Sequence, residues 1–255
     1  SSRATLACHA KPTIPTSSAA ATAQVVVTSP LLRRTSFLIR YAALGGASGF
    51  LGAVVAADLV TRTVRSKPDA VIGLATGSSP VALYDELAAR VAAGTVSFAR
   101  CSAFMLDEYV GLGAGHPERY RTVIDRLFAS RVDIDATRVH GPDGLATDIA
   151  AACADYERLI AEAGGIDVQI LGLGSDGHVA FNEPGSSLAS RTRIKTLTSQ
   201  TRADNARFFD GDLDAVPRHC LTQGVGTILE ARHLLVLATG AGKADAVHEC
   251  VEGAV

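Results

Sequence analysis

The sequence predicts an α/β protein built as one open three-layer domain, in which a mostly parallel sheet carries helices on both faces. Short apolar runs of strand length alternate along the chain with longer segments whose apolar residues recur at helical spacing. Repeated strand–helix units of this kind form parallel sheets that are covered on both faces. Hydrophobic residues make up 47% of the 255 residues, which suffices for a core and excludes a disordered chain. We therefore expect a single Rossmann-like domain.

The regular pattern begins at residue 48, and its elements follow one another in alternation. Apolar spacing predicts helices over residues 50–64, 81–91, 117–129, 148–163 and 244–251. Apolar runs predict strands over residues 70–75, 102–106, 166–173, 193–197 and 233–238. Ligands of open parallel sheets bind outside the carboxyl ends of the strands, so the loops that follow these strands form the candidate site.

The first such loop, residues 76–80, reads Thr-Gly-Ser-Ser-Pro. Ser79 is expected to cap the next helix, with Pro80 as its first residue. The hydroxyls of Ser78 and Ser79 and the free N–H groups of the helix start suit a phosphate group, and an ordinary capped turn is the alternative.

The second loop carries Asp107 and Glu108 directly after a predicted strand. A carboxylate at the end of a strand is well placed to act as a general base. A solvated turn with a helix-capping acid is the alternative.

The third loop, residues 171–185, holds Asp176, His178, Asn182 and Glu183 within eight residues. Asp176 and Glu183 can both hold the imidazole of His178, which then shuttles protons. A third metal ligand at a familiar spacing is missing, so we expect no metal. The Gly-x-Gly sequence lacks the third glycine of a dinucleotide fingerprint, so no nicotinamide cofactor is expected.

Basic residues cluster after this loop in an otherwise acidic region. They suit phosphate recognition, for which forked guanidinium donors are well adapted, and a solvated face is the alternative. The cluster comprises Arg191, Arg193, Lys195, Arg202 and Arg207. Lys243, in a glycine-rich turn before the last helix, is a second candidate for contact with phosphate.

The amino-terminal part differs in composition from the rest of the chain. Residues 1–57 contain five basic residues and no acidic one. We expect residues 1–47 to form a disordered or atypical extension and residues 48–255 to form the domain. The Arg33-Arg34 pair has the outline of a twin-arginine export signal, and a transit peptide is similarly rich in Arg and Ser. The apolar stretch that follows is short for a membrane span, so no membrane partner is expected.

Charge and cysteine content limit the function further. The net charge of −2 and the absence of Trp argue against binding to nucleic acid. The five cysteines are far apart and include no Cys-x-x-Cys, which predicts free thiols and a reducing compartment, the cytoplasm.

The runs GLATGSSP, LDEYVGL, LGSDGHVAFNEPGSSLASRTRIKTL, RFFD and LTQGVGTILEA occur in this order. Together they resemble the glucosamine-6-phosphate deaminase family (glucosamine/galactosamine-6-phosphate isomerases) over about residues 54–252. The related 6-phosphogluconolactonases share the Gly-x-Gly-x-Asp-Gly-His core but not the Phe-Asn-Glu-Pro part.

The resemblance implies an enzyme of amino-sugar catabolism that converts glucosamine 6-phosphate and water into fructose 6-phosphate and ammonia without a cofactor or metal. It implies that Asp107 removes the C2 proton and that His178 opens the sugar ring, assisted by Asp176 and Glu183. The phosphate contacts that it implies are Ser78, Ser79, Arg207 and Lys243.

Many family members are hexamers activated by N-acetylglucosamine 6-phosphate at a subunit interface. The resemblance therefore implies a homo-oligomer with an allosteric site. The positions that match this site are Ser186, Arg193, Lys195 and Thr196. Family members continue with a strand and a tail after the last matched helix, so we expect the domain to be truncated at its carboxyl end.

Three other functions remain open. A 6-phosphogluconolactonase-like hydrolase would share the fold. A sugar-phosphate sensor without turnover would bind the ligand, although Asp107, Asp176, His178 and Glu183 are all present and no helix-turn-helix segment is evident. A truncated, inactive fragment would also bind without releasing ammonia.

Overall fold

A computed structural model of the chain describes residues 25–27 and 48–252. The strands are β1 (Val25–Val27), β2 (Val71–Leu74), β3 (Ser102–Met105), β4 (Asp107–Tyr109), β5 (Val139–His140), β6 (Val168–Gly172), β7 (Arg193–Thr196), β8 (His219–Thr222) and β9 (His233–Ala238). The α-helices are α1 (Ser48–Ser66), α2 (Val81–Ala92), α3 (Tyr120–Leu127), α4 (Ile149–Glu162), α5 (Ser199–Asn205), α6 (Val225–Leu229) and α7 (Ala244–Glu252).

The main sheet has six strands in the order β1-β9-β6-β2-β3-β5. Neighbouring strands run parallel except β1, which pairs antiparallel with β9 at the edge. The prediction of an open, mostly parallel sheet is therefore confirmed. Residues 25–27 of the predicted amino-terminal extension form β1, and the rest of that extension lies outside the described residues.

Helices cover both faces of this sheet, because successive strand residues point to opposite sides. Ile72 of β2 belongs to a core with Val60 of α1 and Tyr84 of α2. Its neighbour Val71 belongs to a second core with Tyr156 of α4. The alternation within one strand thus creates the three layers that the sequence predicts.

A smaller antiparallel sheet, in the order β4-β8-β7, lies beside the main one. The predicted strand at residues 193–197 is real, but as β7 it belongs to this second sheet and not to the parallel one. Its residues alternate between half-buried and exposed, as expected for a strand with one face in solvent. The smaller sheet has its own apolar cluster, which includes Tyr109, Phe181, Phe209 and Cys220.

Two helix starts differ from the sequence prediction. Helix α2 begins at Val81, and Pro80 occupies the cap position with helical backbone angles and no capping side chain, so Ser79 is not the cap. The carbonyl of Pro80 accepts the first helical bond from Tyr84 N. Helix α3 begins at Tyr120, three residues later than its apolar pattern suggests.

Within residues 25–27 and 48–252, no helix combines the length and apolar character needed to cross a bilayer.

Candidate active site

Loops from four adjacent parallel strands meet at one edge of the main sheet. Strands β9, β6, β2 and β3 are neighbours in this order, and their carboxyl ends face the same way. Leu106 N donates to Leu74 O at 3.1 Å, which joins the starts of the two loops that follow β2 and β3. The sheet therefore places four segments along a single edge. They are the loop at residues 76–80 (the Ser78 loop), Asp107, the loop at residues 173–185 (the His178 loop) and the turn at residues 240–243 (the Lys243 turn).

Asp107 begins β4 and is only 6% exposed. Burial, together with the negative charge of neighbouring Glu108, raises the pKa of Asp107 to about 8. Since an ionised carboxylate in such a place is poorly solvated, it is a strong proton acceptor. Asp107 thus has the environment of a general base.

Glu108 is also buried but is held differently. Its Oε1 accepts hydrogen bonds from Tyr109 N and Tyr120 N, and its Oε2 accepts one from Arg121 N, each at 2.9 Å. Burial raises the pKa of Glu108, while these N–H groups and the Arg119 guanidinium, 3.6 Å away, act in the opposite direction. Glu108 therefore caps the start of α3 and ties that helix to β4.

Asp176 and His178 form the second half of the site. Oδ1 of Asp176 lies 2.7 Å from Nδ1 of His178 and also accepts a bond from His178 N at 3.2 Å. Although burial acts to raise it, these hydrogen bonds and the charge of His178 hold the pKa of Asp176 below its usual value. The pairing assigns the proton to Nδ1 and leaves Nε2 to exchange a proton with a ligand.

Glu183 lies close to this pair, and the hydrogen bonds of the described residues do not include one between Glu183 and His178. One ligand atom from each of Asp176, His178 and Glu183 lies within 4.8 Å of the others. Thr201 Oγ1 donates to Glu183 Oε1 at 3.3 Å. Glu183 is thus a third potential metal donor, which the sequence spacing did not reveal. The Asp176 contact already occupies one imidazole nitrogen, an arrangement that suits a proton relay.

The close packing of this loop depends on Gly174. A Cβ atom at Gly174 would lie 2.3 Å from Nδ1 of His178 and 2.5 Å from Oδ1 of Asp176. Farther along, Val179 and Asn182 pair across a tight turn in which Ala180 has a positive φ of 53°. Such backbone is unfavourable for alanine and marks a constrained segment between His178 and Glu183.

The candidate phosphate contacts occupy separate loops. Ser78 is exposed and Ser79 half-buried in the loop after β2, and Lys243 lies in the short 3₁₀ turn after β9. The guanidinium of Arg207 lies 4.7 Å from the centre of the Phe208 ring. Among the contacts of the described residues, none joins Arg207 to the other three.

Two further arginines of the basic cluster form ion pairs or hydrogen bonds within the fold. Arg191 pairs with Glu230, and Arg202 donates to the carbonyls of Leu213 and Val216. These two guanidinium groups therefore stabilise the fold.

Two of the four candidate allosteric residues, Ser186 and Arg193, contact the His178 loop. Ser186 N donates to Glu183 O at 3.0 Å, and Arg193 Nη2 donates to Asn182 Oδ1 at 2.9 Å. Strand alternation places Lys195 on the side of β7 that carries Arg193, and Thr196 on the opposite side.

Sequence reasoning missed the part played by β8. Thr222 is paired with Asp107 in the small sheet, and its hydroxyl accepts a bond from Phe181 N at 3.3 Å. Gln223 follows it and contacts both halves of the site. The available signal was weak, because only two apolar residues, Cys220 and Leu221, precede the polar Thr222 and Gln223.

Comparison with known proteins agrees with this geometry. The sequence profile described as glucosamine-6-phosphate isomerases/6-phosphogluconolactonase matches residues 52–255. A protein of Mycolicibacterium smegmatis named glucosamine-6-phosphate deaminase is 69% identical over 79% of this chain and 77% of its own length. One from Beutenbergia cavernae with the same name is 66% identical over 80% of this chain and 78% of its own length.

The fold is also similar to those of solved structures. A structure described as a monomeric glucosamine-6-phosphate deaminase is 40% identical, with a TM-score of 0.77 over 80% of this chain and 84% of its own. The 6-phosphogluconolactonase of Trypanosoma brucei, at 20% identity and a TM-score of 0.64 over 82% of this chain and 85% of its own, shares the fold. The profile matches most of the chain, and the fold agrees with it. The chain therefore belongs to the glucosamine-6-phosphate isomerase/6-phosphogluconolactonase family.

Proposed function

We propose that the chain is a glucosamine-6-phosphate deaminase, which converts glucosamine 6-phosphate and water into fructose 6-phosphate and ammonia. The observation that carries the proposal is the combination of a buried carboxylate, Asp107, with the Asp176–His178–Glu183 group at the same edge of the sheet. Relatives at 69% and 66% identity bear this name, which supports it.

Ring opening is the first step and is assigned to His178. Its Nε2 is the free imidazole nitrogen, because Nδ1 is paired with Asp176. Nε2 takes the proton of the C1 hydroxyl and returns a proton to the ring oxygen, which gives the open-chain aldehyde. Glu183 and Asp176 stabilise the protonated imidazole during this transfer.

Proton transfer from C2 is the second step and is assigned to Asp107. Its ionised carboxylate removes the C2 proton and leaves an enolamine, whose protonation at C1 gives an imine at C2. Water then adds to the imine carbon, and the nitrogen leaves as ammonia. A carbon acid requires a positioned and poorly hydrated base, which is the environment that burial gives Asp107.

The phosphate group is assigned to Ser78, Ser79, Arg207 and Lys243. The loops after β2 and β9 flank the His178 loop because β2 and β9 flank β6. A phosphate held there by hydroxyls and an ammonium group extends the substrate across the carboxyl edge of the sheet.

Regulation and assembly are proposed on the resemblance to the family. N-acetylglucosamine 6-phosphate binding to Ser186, Arg193, Lys195 and Thr196 would act on a loop that Arg193 already contacts through Asn182. A homo-oligomer is proposed with it, and light scattering tests this against the monomer reported for the 40% identical structure. A cytoplasmic location is supported by the free thiols of Cys101, Cys153, Cys220 and Cys250.

Product analysis tests the function directly. The purified chain is incubated with glucosamine 6-phosphate, and ammonia and fructose 6-phosphate are measured separately. We expect the two products in equal amounts. Hydrolysis of 6-phosphogluconolactone instead would assign the chain to the lactonases, and binding of glucosamine 6-phosphate without either product would indicate a sensor or an inactive fragment.

A further inference from the structure

We propose that Asn182 and Gln223 are positioning residues whose buried amide groups fix the His178 loop relative to Asp107. The inference rests on the proposed function, because it assigns Asp107 and His178 to successive steps on one substrate. Neither amide belongs to the groups assigned above to proton transfer or phosphate binding. Their role follows from the bonds that they make on the two sides of the site.

Gln223 is attached to the segment that ends in Asp107. Its backbone N donates to Leu106 O at 2.7 Å, and its side-chain Nε2 donates to Met105 O at 3.0 Å. Met105 and Leu106 are the two residues that precede Asp107 in the chain. Since Gln223 has no exposed surface, water does not compete for these bonds.

Asn182 is attached to the His178 loop and to Gln223. Its Nδ2 donates to Gln223 O at 2.8 Å and to Val179 O at 3.1 Å. Val179 follows His178 and Asn182 precedes Glu183, so one amide group spans the turn that separates these two residues. The Asn182 amide thus joins the loop to the backbone of Gln223, and the Gln223 amide joins that residue to the carbonyl of Met105, in addition to the bond from Phe181 N to the Thr222 hydroxyl.

The orientation of the Asn182 amide is fixed by its surroundings. Oδ1 accepts from Arg193 Nη2 at 2.9 Å, and a guanidinium group can only donate. Rotation of the amide by half a turn would direct its NH₂ group at Arg193 and its oxygen at two carbonyls. Each amide hydrogen therefore has one acceptor, and the loop is held in one position.

Gln223 also shows that stability alone does not explain this pair. Among the described residues its Oε1 is buried without a hydrogen-bond partner, and an unpaired buried acceptor destabilises a fold. An apolar side chain of similar size would avoid this loss. The gain from a glutamine here is the fixed position of the carbonyls before Asp107.

The test compares Gln223→Met with Gln169→Met. Gln169 is a matched control, because it is equally buried, donates to one backbone carbonyl and also has an unpaired Oε1, but lies within β6 rather than at the site. A third variant, Asn182→Leu, removes the link to the loop and keeps the branching and the number of heavy atoms of the side chain. The substrate carries deuterium at C2, and loss of the label is followed in single turnovers, together with KM and the melting temperature.

We expect Gln223→Met and Asn182→Leu to lose the C2 label about 10- to 100-fold more slowly, with KM within about threefold of the unmodified chain. Gln169→Met should match their loss of thermal stability and keep the original rate. Equal rates in Gln223→Met and Gln169→Met, or a loss that lies entirely in KM, would overturn the inference. If the unmodified chain removes no label from C2 and releases no ammonia, it is the proposed function that fails.

Discussion

Asp107 and Glu108 are consecutive buried carboxylates of β4, and Glu108 accepts three backbone N–H bonds that hold it beside Asp107. Burial and the charge of Glu108 raise the pKa of Asp107 to about 8. The pair therefore divides two tasks: one carboxylate anchors helix α3, and the other is left as a strong base.

The pH dependence of activity should report this pair. Asp107 accepts a proton only when ionised. On the acid limb of the pH profile, kcat/KM of the free enzyme should therefore fall as the pH decreases below about 8. Glu108→Gln removes the neighbouring charge and should move this limb to lower pH. The control is Glu157→Gln, since Glu157 likewise accepts three hydrogen bonds, from Thr192 and Thr227, but lies outside the site. An unmoved limb in Glu108→Gln would contradict the prediction.

Burial of Asp107 should make the free energy of unfolding decrease as the pH rises. Its folded pKa of about 8 lies above the ordinary value of 3.8, so the folded state binds more protons between these values. Stability contributed by this group is therefore lost as the pH rises from about 4 to 8, by up to about 1.4 kcal/mol per pH unit. Asp107→Asn should flatten this slope in urea titrations at several pH values, and an identical slope would refute the assignment.

Asp107→Asn should also remove proton abstraction while ligand affinity remains. Asparagine keeps the shape of the side chain but is not a base, so turnover should fall by roughly 10²–10⁴. Ammonia release measures the loss, and calorimetry with glucosamine 6-phosphate measures the affinity. Turnover near the original rate would show that another group is the base.

His178→Gln should separate ring opening from the later steps. Glutamine retains a polar side chain but cannot relay a proton between the C1 hydroxyl and the ring oxygen. The cyclic substrate should therefore react much more slowly, while an open-chain analogue that already exposes the aldehyde should lose less. Equal losses for both substrates in parallel assays would argue against the role of His178 in ring opening.

Gly174→Ala should disrupt the Asp176–His178 pair without unfolding the chain. The added Cβ would lie 2.3 Å from Nδ1 of His178, closer than any real contact, and the imidazole must move. Gly172→Ala is the matched control, because a Cβ there meets nothing within 4 Å. We expect a large loss of kcat in Gly174→Ala and a small one in Gly172→Ala, with both melting transitions retained. Similar kcat values in the two variants would show that the close packing is dispensable.

Much of the fold was predictable because its signals are local. The run at 233–238 is β9 to the residue, and the helix predicted over 148–163 is α4 (Ile149–Glu162), with Asp148 as its cap and not its first residue. Strand β7 was found, but its partner was not, because the alternation of Arg193 to Thr196 gives the period of a strand and says nothing of the sheet that it joins. Strand β4 was missed because its three residues, two of them acidic, have no apolar pattern.

The sequence by itself determined the α/β class, the loops that carry chemistry and the residue types within them, because apolar period and side-chain chemistry are properties of the chain. The tertiary structure decided the environment of those residues. It buried Asp107 and Glu108 together, paired Asp107 with Thr222, and placed the amides of Asn182 and Gln223 between the two halves of the site. These relations join residues that lie as many as 118 positions apart, as in the bond from Gln223 to Met105, and pKa values and hydrogen bonds depend on such distances in space.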